Sequence, residues 1–312
     1  MKRDFLSLAD LTAGEIEGLF GRARRLKEEQ KAGIPHPTLT GKTLGMIFMK
    51  PSTRTRVSFE VGMFQLGGHA IFLSASDLQM GRGETIADSA RTLSRYLDGV
   101  VFRAFAQADV EELARHATVP VINGLSDLLH PCQVLSDCFT ILEHFGSLKD
   151  RTIAYIGDGN NVANSWLSAA AKLNLTLVLA CPESYEPDHA IRTAAEEQAA
   201  ETGAIIKIVR KPAEAADGAD VLYTDVWASM GQEVDADKRR AAFAGYTIDE
   251  DLLSVARPGA VVMHCLPAHR GEEIASDVAD GPASIIFEQA ENRLHLQKAL
   301  LEFLMGERGA PA

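Results

Sequence analysis

Thr43-Leu44-Gly45-Met46-Ile47-Phe48-Met49-Lys50-Pro51-Ser52-Thr53-Arg54-Thr55-Arg56 passes from a short apolar run into a cluster of hydroxyls and guanidiniums, and an amphipathic stretch over 57–66 follows it. The pattern predicts a buried strand that turns sharply into a helix. The first backbone N–H groups of such a helix lack intrahelical partners, and the helix dipole makes that end electropositive. Phosphate or carboxylate is the natural occupant. The hydroxyls of Ser52, Thr53 and Thr55 add short donors, while Arg54 and Arg56 add planar forks that grip an oxyanion with two bonds at a time. A plain helix cap with two solvated arginines is the bland alternative for this segment.

Outward from the turn, the same strand-then-helix grammar recurs. Thr12 with Glu15 three residues later reads as a capping box opening a helix that carries Ile16, Leu19, Phe20 and Leu26. Short apolar runs at 70–73, 99–102 and 119–122 alternate with helical patterns over 85–97 and 110–116. After Lys149 strands are expected near 152–156, 175–179, 204–209, 221–223, 260–263 and 284–287. The fold class is α/β: two parallel-sheet α/β domains, 1–146 and 147–312, joined by a hinge helix over 133–145. A C-terminal helix over about 288–305 is expected to dock back toward the first domain, leaving only 306–312 frayed.

Composition narrows the function. A chain of 312 residues, 46% hydrophobic and 24% charged, buries a large core. Its net charge of -12 argues against nucleic acid, so the arginine cluster reads as a local site for a small anion on an acidic surface. Residues 1–30 carry mixed charges without a continuous apolar core, which predicts neither a signal peptide nor a membrane span and makes the cytoplasm the expected compartment. Cys132, Cys138, Cys181 and Cys265 lie far apart with no C-x-x-C pair, so they read as reduced thiols rather than a disulfide framework or zinc site.

In parallel sheets ligands collect beyond the carboxyl ends of the strands, and the polar clusters fall there. Arg103 follows one apolar run, and His130-Pro131-Cys132-Gln133 opens the linking helix. In the second half Gly157-Asp158-Gly159-Asn160-Asn161, the stretch from Thr224 through Asp225-Val226-Trp227 to Gly231, and His264-Cys265-Leu266-Pro267 follow three strands. Each has an ordinary reading as well: a structural histidine, a phosphate turn, a loop anchored by tryptophan, a buried thiol. Gly157 and Gly159 match the first two glycines of a dinucleotide fingerprint, with Glu183 near the expected acidic position, but Val162 stands where the third glycine belongs.

Taken together, Ser52-Thr53-Arg54-Thr55-Arg56, His130-Pro131-Cys132-Gln133, Asp225-Val226-Trp227 with Ser229-Met230-Gly231, His264-Cys265-Leu266-Pro267 and the C-terminal Glu291-Asn292-Arg293 resemble the signatures of the aspartate/ornithine carbamoyltransferase family. The resemblance runs nearly end to end, and the Ser-Met-Gly and His-Cys-Leu-Pro elements resemble its ornithine-using branch. It implies transfer of the carbamoyl group of carbamoyl phosphate to the δ-amine of L-ornithine, giving citrulline and phosphate in arginine metabolism, with biosynthesis the favoured direction. It also implies that neither metal nor organic cofactor takes part.

By position, the resemblance implies that Ser52, Thr53, Arg54 and Thr55 hold the phosphate. Arg103, His130, Pro131, Cys132, Gln133 and the returning Arg293 surround the carbamoyl phosphate, and Cys265 and Leu266 close on it. Asn161, Asp225, Ser229 and Met230 match the ornithine-binding positions, and Arg103, His130, Asp225 and Cys265 the catalytic ones. Gln79, in the loop over 74–84, matches a segment that reaches a neighbouring subunit, which implies a homotrimer with shared sites. Closure of the two domains over a water-sensitive anhydride is expected. Aspartate, an acylated ornithine and putrescine are the rival acceptors, and a non-catalytic anion sensor is the rival class.

Overall fold

The structure, a computed structural model, describes residues 2–80, 83–228 and 235–306. The chain forms two compact units: Met1–Phe139 together with Glu291–Ala312, and Thr140–Ala290.

The first unit opens with α1 (Ala13–Lys31) and continues through β1 (Thr43–Phe48), α2 (Thr53–Gln65), β2 (His69–Ser74), α3 (Ile86–Leu93), β3 (Gly99–Arg103), α4 (Gln107–His116) and β4 (Val121–Leu125), before α5 (Pro131–Phe145) leads out of it. The expected capping box starts α1. Thr12 Oγ1 accepts the Glu15 N–H at 3.2 Å, and Glu15 Oε2 accepts the Thr12 N–H at 2.8 Å. The four strands pair in parallel in the order β2-β1-β3-β4. Five of the six residues of β1 are buried, as its unbroken apolar run predicts for a strand covered on both faces. After β1 the chain crosses to β2 on one side, and only later to β3 on the other. The end of β1 is therefore the switch point where a parallel sheet leaves a crevice.

The second unit runs β5 (Thr152–Ile156), α6 (Asn161–Leu173), β6 (Thr176–Ala180), α7 (His189–Thr202), β7 (Ile205–Val209), α8 (Pro212–Ala216), β8 (Val221–Thr224), α9 (Ala236–Ala242), α10 (Glu250–Val255), β9 (Val261–His264) and α11 (Ser276–Ala279). Its parallel sheet has the order β7-β6-β5-β8-β9, so its switch point lies between β5 and β8. Tyr155 and Tyr223 stack at 5.7 Å with Trp166 edge-on at 5.5 Å from Tyr223, a rigid aromatic layer beneath the strand ends.

The last helix, α12 (Ile286–Met305), supplies Glu291 onward to the first unit. It overturns the expectation of a strand over 284–287. Ser284 makes only an isolated bridge to Val262, and the helix begins two residues later. A run of four apolar or small residues does not discriminate strand from helix, and here the helical register buries Ile286 while leaving Phe287 67% exposed. Among the described residues no helix is long and apolar enough to cross a membrane.

Candidate active site

In the first unit the turn after β1 brings hydroxyls and a guanidinium to the start of α2. Ser52 caps α2, its hydroxyl accepting the Thr55 N–H at 3.3 Å. Met49 on the approach donates its N–H to the carbonyl of Arg103 at 2.8 Å, which brings the end of β3 beside the turn. Arg293, arriving on α12, donates to Thr55 Oγ1 at 2.8 Å and to Gln133 Oε1 at 2.9 Å. Gln133 in turn donates to Asp137 at 2.8 Å. Thr55, Gln133, Arg103 and Arg293 are all buried, so α2, α5 and α12 converge on one polar network inside the unit.

His130 lies in this network just before α5. Burial, followed by the charges of Arg293, Arg103 and Arg54, holds its imidazole pKa well below the ordinary value of 6.5. The ring is neutral at physiological pH and faces three guanidiniums, a field suited to an anion that a neutral hydrogen-bonding group then orients. Lys50 adds to the field above the Phe105 ring at 4.5 Å, its pKa lowered by burial and then by Arg103. Pro131 opens α5, where its missing N–H costs no helical bond. Cys132 turns its thiol to the Asn123 carbonyl at 3.4 Å, and burial pushes that thiol up to about 12.

Three expected members differ from these. Arg56 does not join the cradle: its guanidinium stacks over Phe72 at 3.7 Å and pairs with Glu60 one helical turn on at 3.1 Å, because alternate residues of a helix face different directions. Thr53 is at the turn but exposed. Gln79 is exposed in the loop between β2 and α3, and among the described residues no side-chain hydrogen bond ties it to the cradle.

The second unit gathers a different set. Asn160 caps α6 by accepting the N–H groups of Val162 at 2.9 Å and Ala163 at 3.3 Å, and its amide donates to Asp225 Oδ2 at 2.7 Å. Asp225, after β8, also accepts the Val226 N–H at 2.8 Å and the Cys265 thiol at 2.9 Å on Oδ1. Asn161 begins α6, half-buried beside Asn160. Leu266 follows Cys265 with φ 59, its N–H donated to His264 Nδ1 at 2.8 Å. Asp225, His264 and Cys265 place ligand-capable atoms within 4.8 Å of one another, but both His264 nitrogens are committed, to Leu266 and to Glu273. Ser229 and Met230 lie outside the described residues.

The glycines of this end serve local geometry rather than a dinucleotide. Gly157 has φ 140, and a Cβ on Gly159 would meet the backbone nitrogen of Pro187 at 2.2 Å. Asp158 between them is held by Arg239 at 2.9 Å, and burial pushes its carboxyl up to about 6 against that pairing. Asn160 belongs to the polar cluster that the sequence places after β5, but its bond to Asp225 has no local sequence signal, and Arg239, the partner of Asp158, is remote in sequence and signals nothing.

Residues 3–143 match the carbamoyl-P binding domain and residues 149–304 the Asp/Orn binding domain of aspartate/ornithine carbamoyltransferase. The chain belongs to the aspartate/ornithine carbamoyltransferase family. Its relatives include the ornithine carbamoyltransferase of Syntrophus aciditrophicus, 58% identical over 98% of this chain and 100% of that protein. The protein named ornithine carbamoyltransferase, anabolic, of Pyrococcus furiosus is 55% identical over 97% of this chain and 96% of its own length. The solved ornithine carbamoyltransferase from Pyrococcus furiosus superposes with a TM-score of 0.95 at 54% identity, covering 99% of this chain and 98% of that one.

Proposed function

We propose that the chain is an ornithine carbamoyltransferase: it transfers the carbamoyl group of carbamoyl phosphate to the δ-amine of L-ornithine, giving L-citrulline and phosphate. The observation that carries this reading is the Arg293 guanidinium bonded at once to Thr55 and Gln133, which supports a preorganised anion cradle in the first unit. Ser52, Thr53, Arg54 and Thr55 take the phosphate, with the first N–H groups of α2 supplying further donors. Arg103, His130, Gln133 and Arg293 surround the carbamoyl end, Pro131 and Cys132 through the start of α5.

The δ-amine attacks the carbamoyl carbon, a tetrahedral oxyanion forms, and the C–O bond to phosphate breaks. Thr55, Arg103 and neutral His130 stabilise the oxyanion, a role in which each lost donor typically costs roughly 3 to 4 kcal/mol of barrier. Arg54 neutralises the departing phosphate. In the second unit Asp225 answers the substrate ammonium and Asn161, with Ser229 and Met230, the substrate carboxylate. An alkylammonium has a pKa of about 10, so the nucleophile must shed a proton; Cys265 and Asp225 orient it while Leu266 closes on the carbamoyl group. Measuring citrulline formation with ornithine, and carbamoylation of aspartate, acetylornithine and putrescine in parallel, tests the reading. Preference for any acceptor but ornithine overturns it.

The biosynthetic direction of arginine metabolism is favoured, and growth of an arginine auxotroph lacking this activity on medium without arginine tests it. A homotrimer is also inferred, with the loop bearing Gln79 reaching a neighbouring subunit. Its support is apolar surface on α2, where Val57 is 50% and Phe64 80% exposed, and on β2, where Ile71 is 38% exposed. Sedimentation at the 33.7 kDa chain mass rather than three times it would refute the trimer. Four buried cysteines outside any disulfide support a reducing, cytoplasmic location, which cell fractionation checks.

A further inference from the structure

His264, at the end of β9, is buried with both ring nitrogens engaged. Nδ1 lies 2.8 Å from the Leu266 nitrogen and Nε2 lies 3.0 Å from Glu273 Oε1. A backbone N–H only donates, so Nδ1 carries a lone pair; the ring proton sits on Nε2 and is donated to the carboxylate. An imidazolium would point one N–H at another. Glu273 is itself 0% exposed, and its Oε1 also accepts the His269 N–H at 2.6 Å. The His264 backbone is pinned too, donating its N–H to Gln289 Oε1 at 2.9 Å.

What this arrangement fixes is the next peptide. Leu266 has φ 59, a left-handed conformation that residues with a Cβ adopt reluctantly. Only the Leu266–Pro267 bond is cis among the described residues, so the Cys265–Leu266 peptide is trans and its C=O points opposite to its N–H. Holding the Leu266 N–H against Nδ1 therefore also aims the carbonyl of Cys265, the residue whose thiol donates to Asp225. We infer that Glu273 and His264 are a positioning pair: Glu273 selects the Nε2–H form of His264, and that form orients the Cys265–Leu266 peptide that handles the reacting amine and carbamoyl group. The inference rests on the carbamoyl-transfer reading for its catalytic consequence and on geometry alone for the selected imidazole form.

Two substitutions separate positioning from plain structure. His264→Asn keeps a side-chain oxygen able to accept the N–H two residues on, while losing Glu273; His264→Leu loses both contacts. Both leave the buried Glu273 carboxylate with the His269 N–H but without the imidazole, and should melt lower by similar amounts. Only His264→Leu should lose turnover, by about a hundredfold in kcat, with affinity for inorganic phosphate unchanged. Equal loss of kcat in the two variants overturns the proposal. Should His264→Leu fail to fold, neutron diffraction of the wild-type protein decides the imidazole form: deuterium on Nε2 is expected, and deuterium on Nδ1 refutes it. A wild-type protein that makes no citrulline would instead defeat the functional reading, and the neutron result would still decide the positioning pair.

Discussion

The Cys265 thiol donates to Asp225 Oδ1 across 2.9 Å, joining the ends of β9 and β8. Asp225 is also held by Asn160 at 2.7 Å, so the thiol is one of several donors that fix the carboxylate proposed to orient the substrate amine. Replacing Cys265 by Ala removes that donor without touching the cradle of the first unit. A hydrogen bond to a charged group is worth about 1.5–3 kcal/mol, so kcat/KM for ornithine should fall by roughly ten- to a hundredfold. Binding of carbamoyl phosphate, read by calorimetry, should stay as in the wild type. Cys265→Ser retains a donor and should lie between the two; an Ala variant with wild-type ornithine kinetics would remove Cys265 from the site.

Arg54 stands in the first turn of α2, half-exposed, and contributes to the positive field that keeps His130 neutral. Arg54→Ala should weaken phosphate and carbamoyl-phosphate binding by about a hundredfold or more, the loss expected for a two-pronged charged contact. Stability should change by only about 0.5 kcal/mol, because the side chain is half-exposed at the start of α2. Unchanged phosphate affinity in a folded variant would refute the cradle.

Asp158 gives a pH dependence with a defined sign. Burial raises its folded pKa from 3.8 to about 6, with Arg239 opposing and Asp225 adding to the rise. The stability that this shift contributes is complete below 3.8 and lost as pH rises through about 6, since the unfolded chain ionises the group first. Asp158→Asn removes the titration while preserving an oxygen for Arg239. The melting temperature of the Asn variant relative to wild type should therefore improve between pH 5 and pH 7.5. A difference that does not move with pH would show that Asp158 stays ionised throughout.

The parts of this fold legible in the sequence were those written in local chemistry. Continuous apolar runs announced buried parallel strands, and a hydroxyl-rich turn after Phe48 announced a capped, electropositive helix start. What escaped depended on contacts between remote residues. Arg56 looks like a second phosphate fork until Phe72 and Glu60 are seen to hold it, and nothing near Asn160 in sequence announces its bond to Asp225, 65 residues away. The apolar run at 284–287 carried too few residues for its period to be read, so tertiary packing decided its helical start. Arg293 needed the resemblance to bring it to the cradle, because nothing local distinguishes it from any other helical arginine.

Lys298 on α12 is equally silent in sequence and 0% exposed in the first unit. Its ammonium donates to Gln65 Oε1 at 2.8 Å, Gln30 Oε1 at 3.1 Å and His36 Nε2 at 3.1 Å, three neutral acceptors for three protons. Burial lowers its pKa from 10.5 to about 8, with Glu302 and Glu29 opposing the shift. Between those values the unfolded chain binds the proton more tightly than the folded one, so this group makes stability rise as pH rises from about 8 to 10.5. Lys298→Met keeps the stem that packs beside Gly62 but removes the titration and takes the donor from Gln65, Gln30 and the buried His36. The variant should melt below wild type at pH 7.5, and the gap should widen at pH 10, where the wild-type amine is neutral and still donates. A gap that narrows with rising pH would mean that Lys298 remains charged in the folded protein, held by Glu302 and Glu29 against the cost of its burial.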